Sequence, residues 1–311
     1  MSTSAYHLTQ PERRTTSVVF ASPHSGRAYS SAFLRRTALD EQSVRSSEDA
    51  FVDRLFDSAP EAGAPFIKAG VPRAYVDLNR SEDELDPALI DGAPRQGHNP
   101  RIASGLGVIP RVVANGQAIY SGKLSLIEAR NRIETIWRPY HAALQASLDE
   151  AHLMFGEAVL IDCHSMPHEA MDQVARRGIR RPEVVLGDRF GASADGAVVD
   201  RIEAAFTQAG LVVTRNTPFC RGLYHPGLRA AGARASCRAD RDRPRALHGR
   251  APDPPQPQFR RLSRADARGG ARDRRDRARG RGAAGGGVTS SSPPDKSYSM
   301  VIRPVMRADC T

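Results

Sequence analysis

Apolar and polar positions in the first 220 residues fall into short strand-like runs separated by helical stretches. Ser17 to Ser22 (SVVFAS) is an apolar, β-branched run bounded by a polar segment and Pro23, which predicts a buried strand. Pro65 to Ala69 and Ala74 to Leu78 read as two more strands. Ser47 to Ala59 reads as a helix, with Ser47 as N-cap and Glu48 and Asp49 at the positive end of the dipole. Phe51, Val52, Leu55 and Phe56 would form its apolar stripe. The polar, Gly- and Pro-bearing stretch from Ser81 to Asn115 reads as a long loop, and long loops in compact domains are commonly functional.

Ser125-Leu-Ile-Glu128 is a capping-box pattern that opens a long helix toward Phe155, which Pro139 should kink or split. Glu157 to Cys163 (EAVLIDC) is the best central-strand candidate, and Glu183 to Leu186 is a weaker one. Asp195 to Ala209 is an amphipathic helix closed by Gly210, followed by a strand from Leu211 to Thr214. Strands alternating with helices predict an α/β sheet covered on both faces. No internal repeat is visible, and no stretch approaches the roughly 18 apolar residues of a membrane helix. The N-terminus lacks an apolar signal region, so the expectation is a cytoplasmic protein without a membrane partner. The four cysteines show no paired spacing, which suggests neither a disulfide framework nor a cysteine zinc site.

Charge divides the chain in two. Residues 221–311 carry 20 Arg, one Lys, eight Asp and no Glu, a net +13. Residues 1–220 carry 24 basic and 27 acidic groups, a net −3, so the tail accounts for the chain's +10. The tail also lacks hydrophobic periodicity and contains runs such as RADARGGARDRRDRARGRGAAGGG. By composition it should be irregular and unable to fold alone, so the boundaries expected are an α/β domain over 1–220 and a tail over 221–311.

The tail also carries a hidden pattern. Ser236 to Arg250 can be back-translated so that a shift of one base reads HAVQIEIDRALYMD, and Leu223 to Arg229 yields YITQAY at the same offset. Both hidden peptides have the composition of folded protein. The simplest reading is a frame change near Phe219 and Cys220, from one inserted base or two lost. The competing reading is a genuine Arg-rich tail that binds nucleic acid by counterion release; the frame pattern makes that partner the less favoured one.

Several residue clusters can carry chemistry. Pro23-His24-Ser25-Gly26 follows a predicted strand, and a His there can face the crevice where α/β proteins bind ligands, although a structural His would suit the same turn. Asp162-Cys163-His164-Ser165 ends the best strand. Neutral imidazole is a good zinc ligand and a carboxylate commonly orients it, a role open to Asp162, although adjacent strand residues point to opposite faces. Glu48-Asp49 could supply a carboxylate ligand or simply complement the helix dipole. Two His and one carboxylate match the three protein ligands of a catalytic zinc site. In Tyr75-Val76-Asp77-Leu78-Asn79-Arg80, Arg80 beside Asn79 suits a substrate carboxylate, and a surface ion pair to Glu82, Asp83 or Glu84 is the alternative.

The segments PHSG, SEDAFVDRLF, AYVDLNR, SGLGVIPRV, WRPYH, IDCHS and NTPF occur in an order that resembles the N-formylglutamate amidohydrolases over nearly all of residues 15–220. That family is similar in fold to zinc carboxypeptidases and to deacylases of N-acyl amino acids. The resemblance implies a three-layer α/β sandwich with a mixed, mostly parallel central sheet. It implies one zinc ion held by His24, Asp49 and His164, with Glu48 as the alternative to Asp49, and a substrate carboxylate held by Asn79 and Arg80. Arg73, His141 and the Gly105–Gly107 loop are weaker candidates for lining the pocket, His141 being equally suited to packing. The implied reaction is hydrolysis of N-formyl-L-glutamate, an N-acyl amino acid of histidine degradation. In the related hydrolases the general base is a Glu late in the chain. This chain has no Glu after Glu203, whereas the shifted frame has one in HAVQIEID. The competing functions are a zinc deacylase of another N-acyl amino acid, a basic-tailed nucleic-acid-binding protein, and an inactive gene product.

Overall fold

The structure is a computed structural model that describes residues 4–94, 99–167, 181–188, 190 and 193–216, and the backbone of 298–306. In chain order its strands and helices are β1 (Tyr6–Thr9), β2 (Val18–Ser22), α1 (Ser31–Arg36), α2 (Glu41–Val44), α3 (Val52–Leu55), β3 (Phe66–Ala69), β4 (Ile90–Asp91), α4 (Pro100–Ala103) and β5 (Leu124–Ser125). They continue with α5 (Leu126–Arg132), α6 (Arg138–Phe155), β6 (Val159–Pro167), β7 (Val184–Leu186), α7 (Gly196–Gln208), β8 (Val213–Arg215) and β9 (Tyr298–Met306). Seven strands form one sheet in the order β1-β3-β2-β6-β9-β7-β8, while β4 and β5 pair separately. The contacts β3–β2, β2–β6, β9–β7 and β7–β8 are parallel, and β1–β3 and β6–β9 are antiparallel. The sheet is therefore mixed and mostly parallel, as the resemblance implied.

Alternation along the strands builds the two outer layers. On β6, Leu160 packs into a core with Tyr140, Leu144 and Leu148 of α6. Its neighbours Val159, Ile161 and Cys163 pack into a second core with Val198 and Val199 of α7. Side chains repeat every second residue on a strand, so Asp162 and His164 share the α6 side of the sheet with Leu160. An apolar run buried on both faces is what EAVLIDC encodes.

The helix expected to run from Ser125 to Phe155 begins where the capping box places it: the Ser125 side chain accepts the Glu128 N–H at 3.2 Å. The Glu128 carboxylate pairs with Arg36 and Arg132. Pro139 does not split the helix, whose backbone stays helical from Leu126 to Phe155. A π-helical turn, Ile133–Trp137, separates α5 from α6, and Pro139 occupies the first turn of α6, where its missing N–H leaves little unsatisfied. Gly156 ends α6 at φ 73, a left-handed cap that only glycine adopts without strain.

Two further expectations are corrected. Ser47 to Ala59 is not one helix: a 3-10 turn covers Arg45–Ser47, Glu48 is extended, Phe51 sits at φ 64, and only Val52–Leu55 is helical. Ser47 is no N-cap here, since its hydroxyl accepts from the Ala114 N–H at 3.0 Å. The chain leaves the helical path because the Asp49 N–H is bound to the His24 carbonyl at 3.0 Å. Ala74 to Leu78 is not a strand. Its alternation is real, with Ala74, Val76 and Leu78 in the core and Asp77 buried between them, but its backbone bonds go to turns and loops. The edge strand β1 has no counterpart in the sequence reading.

The tail's composition predicts irregular chain, yet β9 inserts between β6 and β7. Open strand edges recruit partners, and YSMVIRPVM is an apolar, β-branched run in an otherwise basic and polar segment. Residues 217–297 and 307–311, and with them TPF of the NTPF motif and the frame-shift signal, lie outside the described residues. Among the described residues no helix is long and apolar enough to cross a membrane.

Candidate metal centre

His24, Asp49 and His164 meet on the α6 side of the sheet. Each offers a ligand atom, all three lie within 4.8 Å of one another, and all three residues are buried. His24 enters from the turn after β2. Gly26 allows that turn to fit, since a Cβ there would stand 2.0 Å from the Val71 carbonyl oxygen. Asp49 enters from the extended segment that interrupts the expected helix. His164 comes from β6 itself, and the two imidazole centroids are 4.8 Å apart.

The two rings are held alike. Nδ1 of His24 is 3.4 Å and Nδ1 of His164 is 2.8 Å from the same oxygen, Asp49 Oδ2. On the far side, His24 Nε2 donates to Asp77 Oδ1 at 2.8 Å. His164 Nε2 lies 2.9 Å from Asp162 Oδ2 and 3.0 Å from the Asn79 amide. Asp162 and His164 are two residues apart and share a face, which makes Asp162 the partner that adjacent-residue reasoning left open. A carboxylate at the outer nitrogen of each imidazole fixes the ring tautomer so that the inner nitrogen keeps a lone pair for a cation. Two such nitrogens and a buried carboxylate fit a divalent ion that prefers mixed N/O ligands.

The electrostatics agree. Burial opposes ionisation of Asp49, yet hydrogen bonds from His164 and His24 hold its carboxyl below the usual range. Burial disfavours charge on His164, but Asp162 and Asp49 outweigh it and push its pKa up to about 9. A buried group with negative partners on both sides attracts a positive charge, here a proton. Asp77 is held well below its ordinary value against burial, chiefly by Arg73 and then by His24 and Arg80.

Asp77, Asn79 and Arg80 lie on one turn beside this centre. The Asp77 carboxylate also accepts from Arg73 Nε at 3.0 Å and from the Asn79 N–H at 2.9 Å, with Arg80 Nε at 3.8 Å. Arg80 is only 3% exposed, and its Nε and Nη1 have no hydrogen-bond partner. A buried guanidinium with donors unspent can receive an anion, and a carboxylate has the geometry to match its fork. Burial lowers its pKa, with Asp77 opposing that shift.

The N-formylglutamate amidohydrolase family model matches residues 16–235. The chain belongs to the N-formylglutamate amidohydrolase family. It is 29% identical over 198 residues to an N-formylglutamate deformylase of Pseudomonas putida, a match covering 62% of this chain and 66% of that one. A Pseudomonas aeruginosa deformylase is 30% identical over 204 residues, covering 64% and 69% respectively. The chain thus spans about two thirds of the length of these relatives. The crystal structure of an N-formylglutamate amidohydrolase from Ralstonia eutropha JMP134 is 33% identical and superposes with a TM-score of 0.62 over 69% of this chain and 77% of that one.

Within this amidohydrolase fold the other sequence candidates take different places. Glu48 turns away from the centre and pairs with Arg45 Nε at 3.1 Å, which leaves Asp49 as the carboxylate between the imidazoles. Arg73 is tied to Asp77 and sits at the edge of the site. His141 does not reach the centre: its ring lies 3.9 Å from that of Trp137, and Nε2 faces the Leu78 carbonyl at 3.0 Å. The Gly105–Gly107 loop is a brace. A Cβ on Gly107 would lie 2.5 Å from the Glu84 carbonyl oxygen, and the Val108 carbonyl accepts the Asp77 N–H at 2.9 Å. Sequence reasoning passed over Asp77 as a functional residue, although it stands two positions before Asn79 in a motif already singled out.

Proposed function

We propose that this chain is a zinc-dependent amidohydrolase that hydrolyses N-formyl-L-glutamate to formate and L-glutamate, in histidine degradation and in the cytoplasm. One arrangement carries the reading. His24, Asp49 and His164 converge, a carboxylate backs each imidazole, and the unspent guanidinium of Arg80 lies on the turn that also bears Asp77 and Asn79. His24, Asp49 and His164 would hold one zinc ion. When bound, the ion supplies Lewis-acid polarisation of the formyl oxygen and a water of lowered pKa. Arg80, with Asn79 and the flanking Arg73, grips a carboxylate of the substrate, which turns binding energy into orientation of the formamide. Asp77 and Asp162 fix the ring tautomers and aim the inner nitrogens at the ion.

Hydrolysis also needs a carboxylate that takes the water proton and passes it to the leaving nitrogen, worth roughly 10²–10⁴ in rate. The chain contains no Glu after Glu203. In this reading the present chain binds zinc and substrate but turns over slowly, and restoring the frame after about residue 220 restores the base. The test compares this chain and a frame-restored one for zinc content and for formate release from N-formyl-L-glutamate, with N-acetyl-L-glutamate and N-formyl-L-alanine alongside. Formate release by the frame-restored zinc protein, at least a hundredfold above the present chain, is expected. A frame-restored protein that holds zinc and releases no formate overturns the proposal, and a preference for the acetyl substrate reassigns it to another N-acyl amino acid.

A further inference from the structure

We propose that Trp137 and His141 are positioning residues that clamp the Asp77–Arg80 turn and so set where Asn79 and Arg80 stand relative to the metal centre. The inference deepens the reading above and rests on it for the identity of the ligand. The turn lacks a strand neighbour, and two of its carbonyls are capped by ring N–H groups instead. Trp137 Nε1 donates to the Arg80 carbonyl at 2.9 Å. His141 Nε2 faces the Leu78 carbonyl at 3.0 Å, and because a carbonyl only accepts, that nitrogen carries the ring proton.

Trp137 and His141 are four residues apart, about 6 Å along the helix axis, and project from one face. Leu78 and Arg80 lie in a turn closed by the bond from the Arg80 N–H to the Asp77 carbonyl at 3.2 Å. One face of the helix therefore presents a ring donor to each of the two carbonyls. The π turn matters because Trp137 is its last residue, so the extra residue in that turn sets the direction in which the indole projects. The two ring centroids lie 3.9 Å apart at an interplanar angle of 33°, and Tyr140 meets His141 edge-on at 5.3 Å, so neither donor is free to swing. Both rings are buried, where an unmet carbonyl is costly.

Between the clamped carbonyls sits Asn79, whose amide is 3.0 Å from His164 Nε2, and beyond it the guanidinium of Arg80. The clamp therefore acts on the anion-binding side of the site.

The test uses the full zinc-loaded chain and three variants. Trp137→Phe keeps an aromatic ring and removes the donor, His141→Phe does the same, and His141→Gln returns an N–H. Two quantities are read: hydrogen exchange of the 77–80 amides, and the affinity for L-glutamate by calorimetry, with zinc affinity measured by chelator competition. Each Phe variant should exchange those amides about tenfold faster and bind glutamate about tenfold more weakly, with zinc affinity changed less than threefold; His141→Gln should recover most of the loss. Unchanged exchange at 77–80, undiminished glutamate affinity in both Phe variants, or zinc affinity falling by the same factor as glutamate affinity overturns the clamp. Wild-type protein that takes up zinc and no glutamate refutes the proposed substrate instead, and the exchange measurements still decide the clamp.

Discussion

Asp77 is the residue whose replacement should reveal most about this site. Its carboxylate is 1% exposed and meets His24 Nε2 at 2.8 Å, Arg73 Nε at 3.0 Å and the Asn79 N–H at 2.9 Å, with Arg80 Nε at 3.8 Å. Asp77→Asn keeps the shape, removes the charge and leaves one acceptor oxygen where two served. Its amide N–H groups would then face either the imidazole N–H or the Arg73 donor. Removing one partner of a buried ion pair costs about 3–5 kcal/mol. The lower end, about 3 kcal/mol, applies here because the Arg73 side chain is 24% exposed and water screens part of the loss. Loss of the carboxylate behind a metal-binding imidazole lowers metal affinity roughly 10–100-fold. Urea unfolding of the zinc-free protein measures the first quantity and chelator competition the second. A variant within about 0.5 kcal/mol of wild type that also keeps its zinc affinity would refute the account of Asp77 as the hub of the site.

Two further outcomes follow from the same geometry. In zinc-free protein the raised pKa of His164, about 9 against an ordinary 6.5, contributes stability that is complete below pH 6.5 and is lost as pH rises through about 9. The loss, about 3 kcal/mol, should appear as a falling urea midpoint between those pH values in the presence of a chelator; a flat or rising midpoint contradicts it. Gly107→Ala should destabilise by roughly 1–3 kcal/mol, because its Cβ would stand 2.5 Å from the Glu84 carbonyl oxygen. Gly122→Ala, with nothing within 4 Å, should stay within about 0.5 kcal/mol of wild type in the same unfolding assay.

Much of the architecture can be read along the chain because its causes are local. The double-faced apolar run of β6, the capping box at Ser125 and the Gly210 stop each depend on a few neighbouring residues. The cluster of His24, Asp49 and His164 was accessible for another reason: the three residues lie in short motifs whose order resembles a known family. Periodicity misled where backbone partners are distant. Ala74–Leu78 alternates like a strand, yet Val108 and the rings of Trp137 and His141 take its hydrogen bonds and those of the residues just beyond it. Ser47–Ala59 has helical composition, yet the bond from the Asp49 N–H to the His24 carbonyl pulls it out of the helix.

Sequence alone established which side chains were available and which segments would form a two-layered helical cover on a sheet. It could not say that Asp49 rather than Glu48 turns inward, that Asp77 backs His24, or that His141 serves a carbonyl instead of an ion. Those outcomes depend on which groups are brought to about 3 Å across 53 to 115 residues of chain, and only the closed fold, by burying polar atoms that must then find partners, decides them.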